Sequence, residues 1–428
     1  MGGLLAAGLG SRMSPLTTHH LPKPMFPLCG RTPMAELWVR LFVESGITDV
    51  SMNLCVLAES LRKNFGDGQR LGANMRYVVE DKPTGTLGGV CKQALGREAR
   101  SVLPNETVPS VAPFGGSTVV IPSGDIVTNF SADLLEQMYR LHKEVGSAFT
   151  MILTPVPWER RVDFGTAVLD NPRPLDGILS SAGRIKEFRE KDPDSPSNLN
   201  NASIYMIEME LLRALDPQRT PASLEVDAPL YDFGKQVFPL LLGELAHGTL
   251  PRDFDLWGMQ YDGGWFDVGN KRDYIRVNEA ILDGQIKVEL PYERFPWGYM
   301  GVGCELDLDR VTIKPPVVIG DGCVVEPGAV IGPYAVIGDG WRIGAGARVQ
   351  SAVLWPRFPF HRADGTVHSI EERRDIEPHR VGAGVSIRES IVVGGAINQD
   401  LNDQVVDVKE DGQLEILPLD WVPGGPRA

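Results

Sequence analysis

An α/β domain followed by a parallel β-helix is the architecture that this chain predicts, on two observations. Up to about residue 305, apolar strand-like runs alternate with helix-like segments. "DVSMNLCV" precedes "AESLRKNFG", and "STVVIPSGDI" precedes "ADLLEQMYRLHKEVG", with "AFTMILTPV" behind it. Strands alternating with helices imply a mostly parallel, doubly wound sheet covered on both faces. From Ile313 the texture changes. An aliphatic residue recurs every six positions, at Ile313, Ile319, Val325, Ile331, Ile337, Ile343 and Val349, with small residues such as Cys323, Ala329, Ala335 and Ala347 four places on. Each six-residue unit makes one flat side of a triangular coil, with the aliphatic side chain pointing inward.

The expected boundaries follow from these textures. Residues 1–285 form the α/β domain, 286–305 a linker and 306–428 the β-helix. The hexads lapse over residues 355–380, "WPRFPFHRADGTVHSIEERRDIEPHR", which reads as an insertion looping out of one coil. Its "WPRFPF" start predicts exposed apolar surface, and His361, His368 and His379 are expected in a solvated loop. "VVDVKEDGQLEIL" predicts a hairpin turning at Asp411–Gly412 that caps the open end of the helix.

Composition narrows the partners. With 428 residues, 43% apolar and 23% charged, the chain is long enough for two domains. No apolar run reaches bilayer-spanning length, and Met1 is not followed by a signal-like stretch, so no membrane partner and a cytoplasmic location are expected. Five scattered cysteines without a C-x-x-C pair fit a reduced protein with no zinc site. A net charge of −14 excludes a nucleic-acid binder, so cations for any phosphate ligand must be concentrated locally.

One such concentration opens the chain. Leu4–Ala7 reads as a short buried strand, and "GLGSRMSP" as the loop leaving its C-terminal end, where open α/β sheets bind ligands. Gly8 and Gly10 allow close backbone approach and direct N–H groups at phosphate oxygens. Arg12 follows two residues later, and Lys23 is held between prolines in "LPKPM". A glycine turn alone is only a turn, but with two restrained cations it makes a polyphosphate clamp.

The stretch "AAGLGSRMSPLT…LPKPM" resembles the signature of the sugar-1-phosphate nucleotidylyltransferases, which condense a nucleoside triphosphate with a sugar 1-phosphate and release pyrophosphate. Later segments agree in order over roughly the first two-thirds of the chain: "VVEDKPTGTLGGV", "VVIPSGDI", "RIKEFREK" with "NNASIYMIE", and "GGWFDVGNKRDYIRVNEAIL". The resemblance implies a Rossmann-like mixed sheet, a left-handed β-helix behind it and assembly into a homo-oligomer through that helix. It implies nucleotide contacts at Ala6, Ala7, Gly8, Gly10 and Ser11, base recognition around Glu80, Gly85 and Thr86, and sugar-phosphate contacts at Glu190, Lys191 and Asn201. It also implies that Asp125 and Asp267 hold Mg²⁺. Asp125 would serve equally well as a cap for the helix that "TNFSADLL" opens.

Both reactants would be strongly anionic, so charge neutralisation and in-line positioning carry the catalysis. Arg12 is expected on the β- and γ-phosphates and Lys23 on the α-phosphoryl group. Departures from the resembled pattern are Gly2 and Gly3 in the first strand, "EKDP" and "NAS", and Asn270 in place of the closing threonine. They bear on sugar identity more than on the reaction. The resemblance points first to mannose 1-phosphate with GTP, and alternatively to glucose 1-phosphate with UTP, dTTP or ATP. A non-catalytic regulatory subunit of the same fold and an acyltransferase housed in the β-helix are the competing classes.

Overall fold

The computed structural model describes residues 1–96, 115–216, 232–243, 254–362, 366–374 and 378–424. By its internal contacts the chain divides into two compact units. One comprises Met1–Gly8 and Leu37–Trp265, the other Leu9–Glu36 and Phe266–Ala428.

Among the described residues, the first unit is built on a nine-stranded mixed sheet. Its strands are β1 (Gly2–Leu5), β2 (Asp49–Leu54), β3 (Asn74–Val79), β4 (Thr118–Pro122), β5 (Phe149–Pro155), β6 (Gly165–Pro174), β7 (Leu179–Glu190), β8 (Leu199–Glu208) and β9 (Leu256–Tyr261). The spatial order is β3-β2-β1-β4-β8-β5-β9-β7-β6. Neighbours β3, β2, β1 and β4 run parallel, whereas β8 is antiparallel to both β4 and β5. The core collects buried aliphatic residues around Phe149, Phe188, Tyr205, Phe233 and Phe238, whose rings meet mostly edge to face.

The first strand lies two residues earlier than its expected Leu4–Ala7 span. Gly2 and Gly3 are part of it because no side chain fits there. A Cβ at Gly2 would lie 2.8 Å from the Phe42 ring, and one at Gly3 2.5 Å from Ile121 Cδ1. Ala6 and Ala7 consequently begin the loop.

The second unit carries three parallel ladders. One runs through Val317–Ile319, Ala335–Ile337, Ala352–Leu354 and Ile391–Val392 to Gln404–Val408, in register Ile319↔Ile337↔Leu354↔Val392↔Val406. The hexad residues Ile319, Ile331, Ile337, Ile343 and Val349 are fully buried, with Ile313 partly so at the first coil. The antiparallel pair Gln404–Val408 and Leu414–Pro418 is the expected terminal hairpin.

Arg342–Ile343 pairs directly with Arg380–Val381, so the ladder keeps its register across the lapse in the hexads. Trp355 is not the exposed apolar surface expected of the insertion. It is fully buried, edge-on to Phe26 at 4.9 Å, and its Nε1 donates to the Tyr274 hydroxyl at 3.1 Å. Nor are His361 and His379 solvated. Both are buried, His379 tilted over Trp341 at 4.6 Å. The His368 side chain lies outside the described residues. The loop Leu9–Glu36 supplies that aromatic wall: the Tyr274 hydroxyl donates to Pro27 O at 2.5 Å, and the Cys29 amide donates to Asn278 Oδ1 at 2.7 Å.

Candidate active site

Within the first unit, a connected set of polar groups runs along the C-terminal ends of β1, β2 and β3. The Ala6 amide donates to Asn53 Oδ1 at 2.8 Å, and Asn53 Nδ2 donates to Glu80 Oε1 at 2.8 Å. The other oxygen of Glu80 accepts from the Thr84 amide at 2.8 Å and its hydroxyl at 2.6 Å, with Lys92 Nζ at 3.6 Å. Glu80 is thus only 3% exposed and has both oxygens engaged. It ties the "TGT" turn to the start of the glycine loop. Gly85 opens the helix Gly85–Leu95, and Thr86 Oγ1 accepts from the Phe233 amide at 2.9 Å.

Asp125 lies just past β4, where the Gly124 amide donates to Leu5 O and the Ser123 amide to Ser203 O. The Ser123 hydroxyl donates to Asp125 Oδ1 at 2.5 Å and fixes the carboxylate's orientation. Asp125 does not cap the helix Ala132–Glu144, because Ser131 does so by accepting from the Leu134 amide. On β8, Asn201 donates to the Tyr205 hydroxyl at 2.9 Å and accepts from the Ser203 amide at 3.0 Å.

Glu190 ends β7 between two glycines. A Cβ at Gly165 or Gly234 would fall 2.5 or 2.6 Å from Glu190 Oε2. Burial pushes the Glu190 carboxyl above its ordinary pKa and nearby Asp232 pushes the same way, against Lys191 and Lys235. Lys191 itself is exposed, in the left-handed region at φ 53°.

The second unit holds the cations. Gly10, at φ 62°, turns the chain into a short 3₁₀ segment Ser11–Met13, and the Thr17 hydroxyl closes the turn by donating to Gly10 O at 2.9 Å. Arg12 and Ser11 are exposed, whereas Lys23, in a 3₁₀ turn flanked by Pro22 and Pro24, is buried. Lys23 Nζ stands 3.9 Å from Asp267 Oδ1. A Cβ placed at Gly269 would lie 3.5 Å from Arg12 Nη1 and 3.7 Å from Asp267 Oδ2. Arg12, Lys23 and Asp267 therefore gather around the "FDVG" segment. Asn270 is the cap of the helix Lys271–Leu282: its Oδ1 accepts from the Asp273 amide at 3.0 Å.

Sequence reasoning did not find Asn53, Ser123 or Lys271. Asn53 sits in the mostly apolar strand run "DVSMNLCV", where a polar amide near the strand's C-terminal end was the available signal.

Residues 2–284 match the family model described as Nucleotidyl transferase, and residues 316–351 match Bacterial transferase hexapeptide (six repeats). A UTP–glucose-1-phosphate uridylyltransferase of Synechocystis sp. is 30% identical over 321 residues, covering 74% of this chain and 73% of that protein. The mannose-1-phosphate guanylyltransferase catalytic subunit beta of Danio rerio is 27% identical, covering 75% and 73%. A mannose-1-phosphate guanylyltransferase of Mycobacterium tuberculosis is 28% identical over 281 residues, covering 66% of this chain and 64% of that protein. With two-thirds of its length matching that model and a hexapeptide-repeat β-helix behind it, the chain belongs to the nucleotidyl transferase family.

Proposed function

We propose that the chain transfers a nucleotidyl group from a nucleoside triphosphate to a sugar 1-phosphate, with mannose 1-phosphate and GTP as the preferred pair. The observation that carries the proposal is the gathering of Arg12, Lys23 and Asp267 around Gly269. A clustered pair of cations with a carboxylate suits a polyphosphate and its counter-ion. Glucose 1-phosphate with UTP is the second reading, favoured by the 30% identity to the Synechocystis sp. enzyme.

In this scheme an oxygen of the sugar phosphate attacks the α-phosphorus in line, the bond to the β-phosphate bridging oxygen breaks, and pyrophosphate departs. No protein nucleophile is required. Lys23 offsets charge growing on the α-phosphoryl oxygens, and Arg12 holds the β- and γ-phosphates and stabilises the leaving group. Ala6, Ala7, Gly8, Gly10 and Ser11 supply backbone to the nucleotide. Glu80 organises the base-binding turn at Gly85 and Thr86 from behind. Glu190 accepts from sugar hydroxyls, while Lys191 and Asn201 serve the sugar phosphate.

In this reading Asp125 and Asp267 are the residues that would hold a divalent cation such as Mg²⁺. Both are hard oxygen donors, and Asp125 is pre-oriented by Ser123. Among the described residues no group of three or more His, Cys, Asp or Glu could hold a metal. Binding through carboxylates completed by phosphate oxygens and water is Mg²⁺ habit. When bound, the ion would supply charge neutralisation on the phosphates. Retention of Arg12, Lys23, Asp125 and Asp267 supports an active enzyme over a regulatory subunit.

The test is pyrophosphate release over a grid of GTP, UTP, dTTP and ATP against mannose and glucose 1-phosphates, with and without Mg²⁺. Release is expected with mannose 1-phosphate and GTP above all other pairs. Folded protein that releases none with any pair refutes the activity.

A further inference from the structure

Lys271 is buried to 2% exposure, and its ammonium donates to main-chain oxygens. Its three donors go to three main-chain carbonyls: Arg12 O at 3.1 Å, Ser14 O at 2.8 Å and Trp421 O at 2.6 Å. Two of these belong to the loop that carries Arg12. The third belongs to the tail that follows the last strand of the β-helix, Leu414–Pro418. An ammonium with three N–H groups meeting three carbonyls has every donor satisfied. Burial lowers its pKa to about 8, with Asp420 opposing, so near neutrality it is still largely the three-donor form.

The next residue grips the same tail. Arg272 pairs with Asp420 in a two-pronged contact, Nε to Oδ1 at 2.8 Å and Nη2 to Oδ2 at 2.7 Å, and Nη2 also reaches Asp403 Oδ2 at 2.8 Å. The Leu419 amide donates to Asp403 O at 2.9 Å, which anchors the tail to the final coil. Two consecutive residues of one capped helix thus hold two consecutive residues of the tail, and one of them also holds the Arg12 loop. A cation buried at a cost, and spent on carbonyls of two distant segments, fixes their mutual position.

We infer that the C-terminal tail Asp420–Trp421 is a positioning element for the triphosphate loop, acting through Lys271 on the backbone of Arg12 and Ser14. The inference rests on the triphosphate role proposed for Arg12. On this account the tail behind the last coil of the β-helix sets where the Arg12 guanidinium points. Lys271 and the tail act through the loop backbone in this scheme.

The experiment uses the full chain with GTP and UTP as probes, measuring nucleotide dissociation constants with Mg²⁺ and the KM values for nucleotide and sugar phosphate. Asp420→Ala, at an exposed position, loosens the tail without disturbing a core. It is expected to weaken nucleotide binding several-fold while leaving the sugar-phosphate KM unchanged. Lys271→Met is expected to weaken it about 10- to 100-fold, the scale of a small misplacement of a binding group. If Lys271→Met does not fold, Asp420→Ala decides. Folded Asp420→Ala with unchanged nucleotide affinity overturns the inference, whatever Lys271→Met does. An equal rise in both KM values also overturns it, because that marks general loosening. Wild-type protein that binds nucleotide but releases no pyrophosphate refutes the proposed activity alone, and weaker binding by the variants then still supports the positioning role. Wild-type protein that binds neither nucleotide overturns both.

Discussion

Glu80→Gln keeps the size of a side chain that is 3% exposed, yet it should cost more than its conservative appearance implies. Both Glu80 oxygens accept, from Asn53 on one side and from the Thr84 amide and hydroxyl on the other. A glutamine has one acceptor and one donor end. Turned with its oxygen to Thr84, it sets its NH₂ against the Asn53 NH₂. Asn53 could answer by flipping, but its Oδ1 is the acceptor for the Ala6 amide, and the flip would leave that buried N–H facing a donor. One hydrogen bond to a charged group is lost either way, at about 1.5–3 kcal/mol, and a buried donor is left unpaired at about 1–3 kcal/mol. We expect about 3 kcal/mol in total, a fall in melting temperature of about 6–12 °C for a unit of this size. Nucleotide affinity should fall as well, because the error propagates to Ala6. Thermal denaturation followed by circular dichroism, with nucleotide titration alongside, measures both. A variant that melts within about 1 °C of wild type and binds nucleotide normally would show that the oxygens are not coupled in this way.

Three further outcomes are expected. Asp267→Asn should lower turnover at least about 100-fold with the fold intact, since charge compensation is lost at nearly unchanged side-chain size; near-normal turnover would make Asp267 structural. Gly234→Ala puts a methyl 2.6 Å from Glu190 Oε2, and the flexible carboxylate should yield, raising the KM for the sugar phosphate while the nucleotide KM holds; unchanged sugar-phosphate KM would remove Glu190 from the sugar's contacts. His142 is buried, accepting from Thr150 at 2.8 Å and donating to Glu208 at 3.0 Å, and burial holds its pKa below the ordinary value. The unfolded chain therefore binds the extra proton first, so His142 contributes stability above the ordinary histidine pKa that is lost as pH falls through its lowered folded value. Melting temperatures from pH 7 down to pH 5 should drop less steeply in His142→Gln, and parallel curves would contradict this.

The β-helix was legible because its code is one-dimensional. A residue at Ile319 stacks on Ile337 and then Leu354, and the spacing alone dictates the inward face. The alternation of strands and helices announced the mixed sheet in the same local way, and "GLGSRMSP" with "LPKPM" announced its cations by composition. The supports behind the site were not legible. Asn53 meets Glu80 from 27 positions away, and Lys271 meets Trp421 from 150. Nothing local distinguishes Lys271 from a solvated lysine in the first turn of an amphipathic helix. Trp355 and His379 were misread for the mirror-image reason. An insertion is inferred from a lapse in periodicity, and periodicity carries no information about distant partners such as Phe26 that cover what it displaces.

The assignment of Leu9–Glu36 to the same compact unit as Phe266–Ala428 has a consequence for biosynthesis. His20 bonds Asp407 at 2.5 Å, with both groups buried, across 387 positions of chain. At about 5–20 residues per second, a ribosome needs about 20–80 s between making one partner and the other. Throughout that interval the segment holding Arg12 and Lys23 has already been made, while Asp407, which His20 bonds, does not yet exist. The sheet residues emerging in between can settle around β1 first. The cation loop is then made long before Asp407 and is among the last parts to reach its native packing, so a nascent polypeptide stalled before Asp407 carries it without its buried His20–Asp407 hydrogen bond.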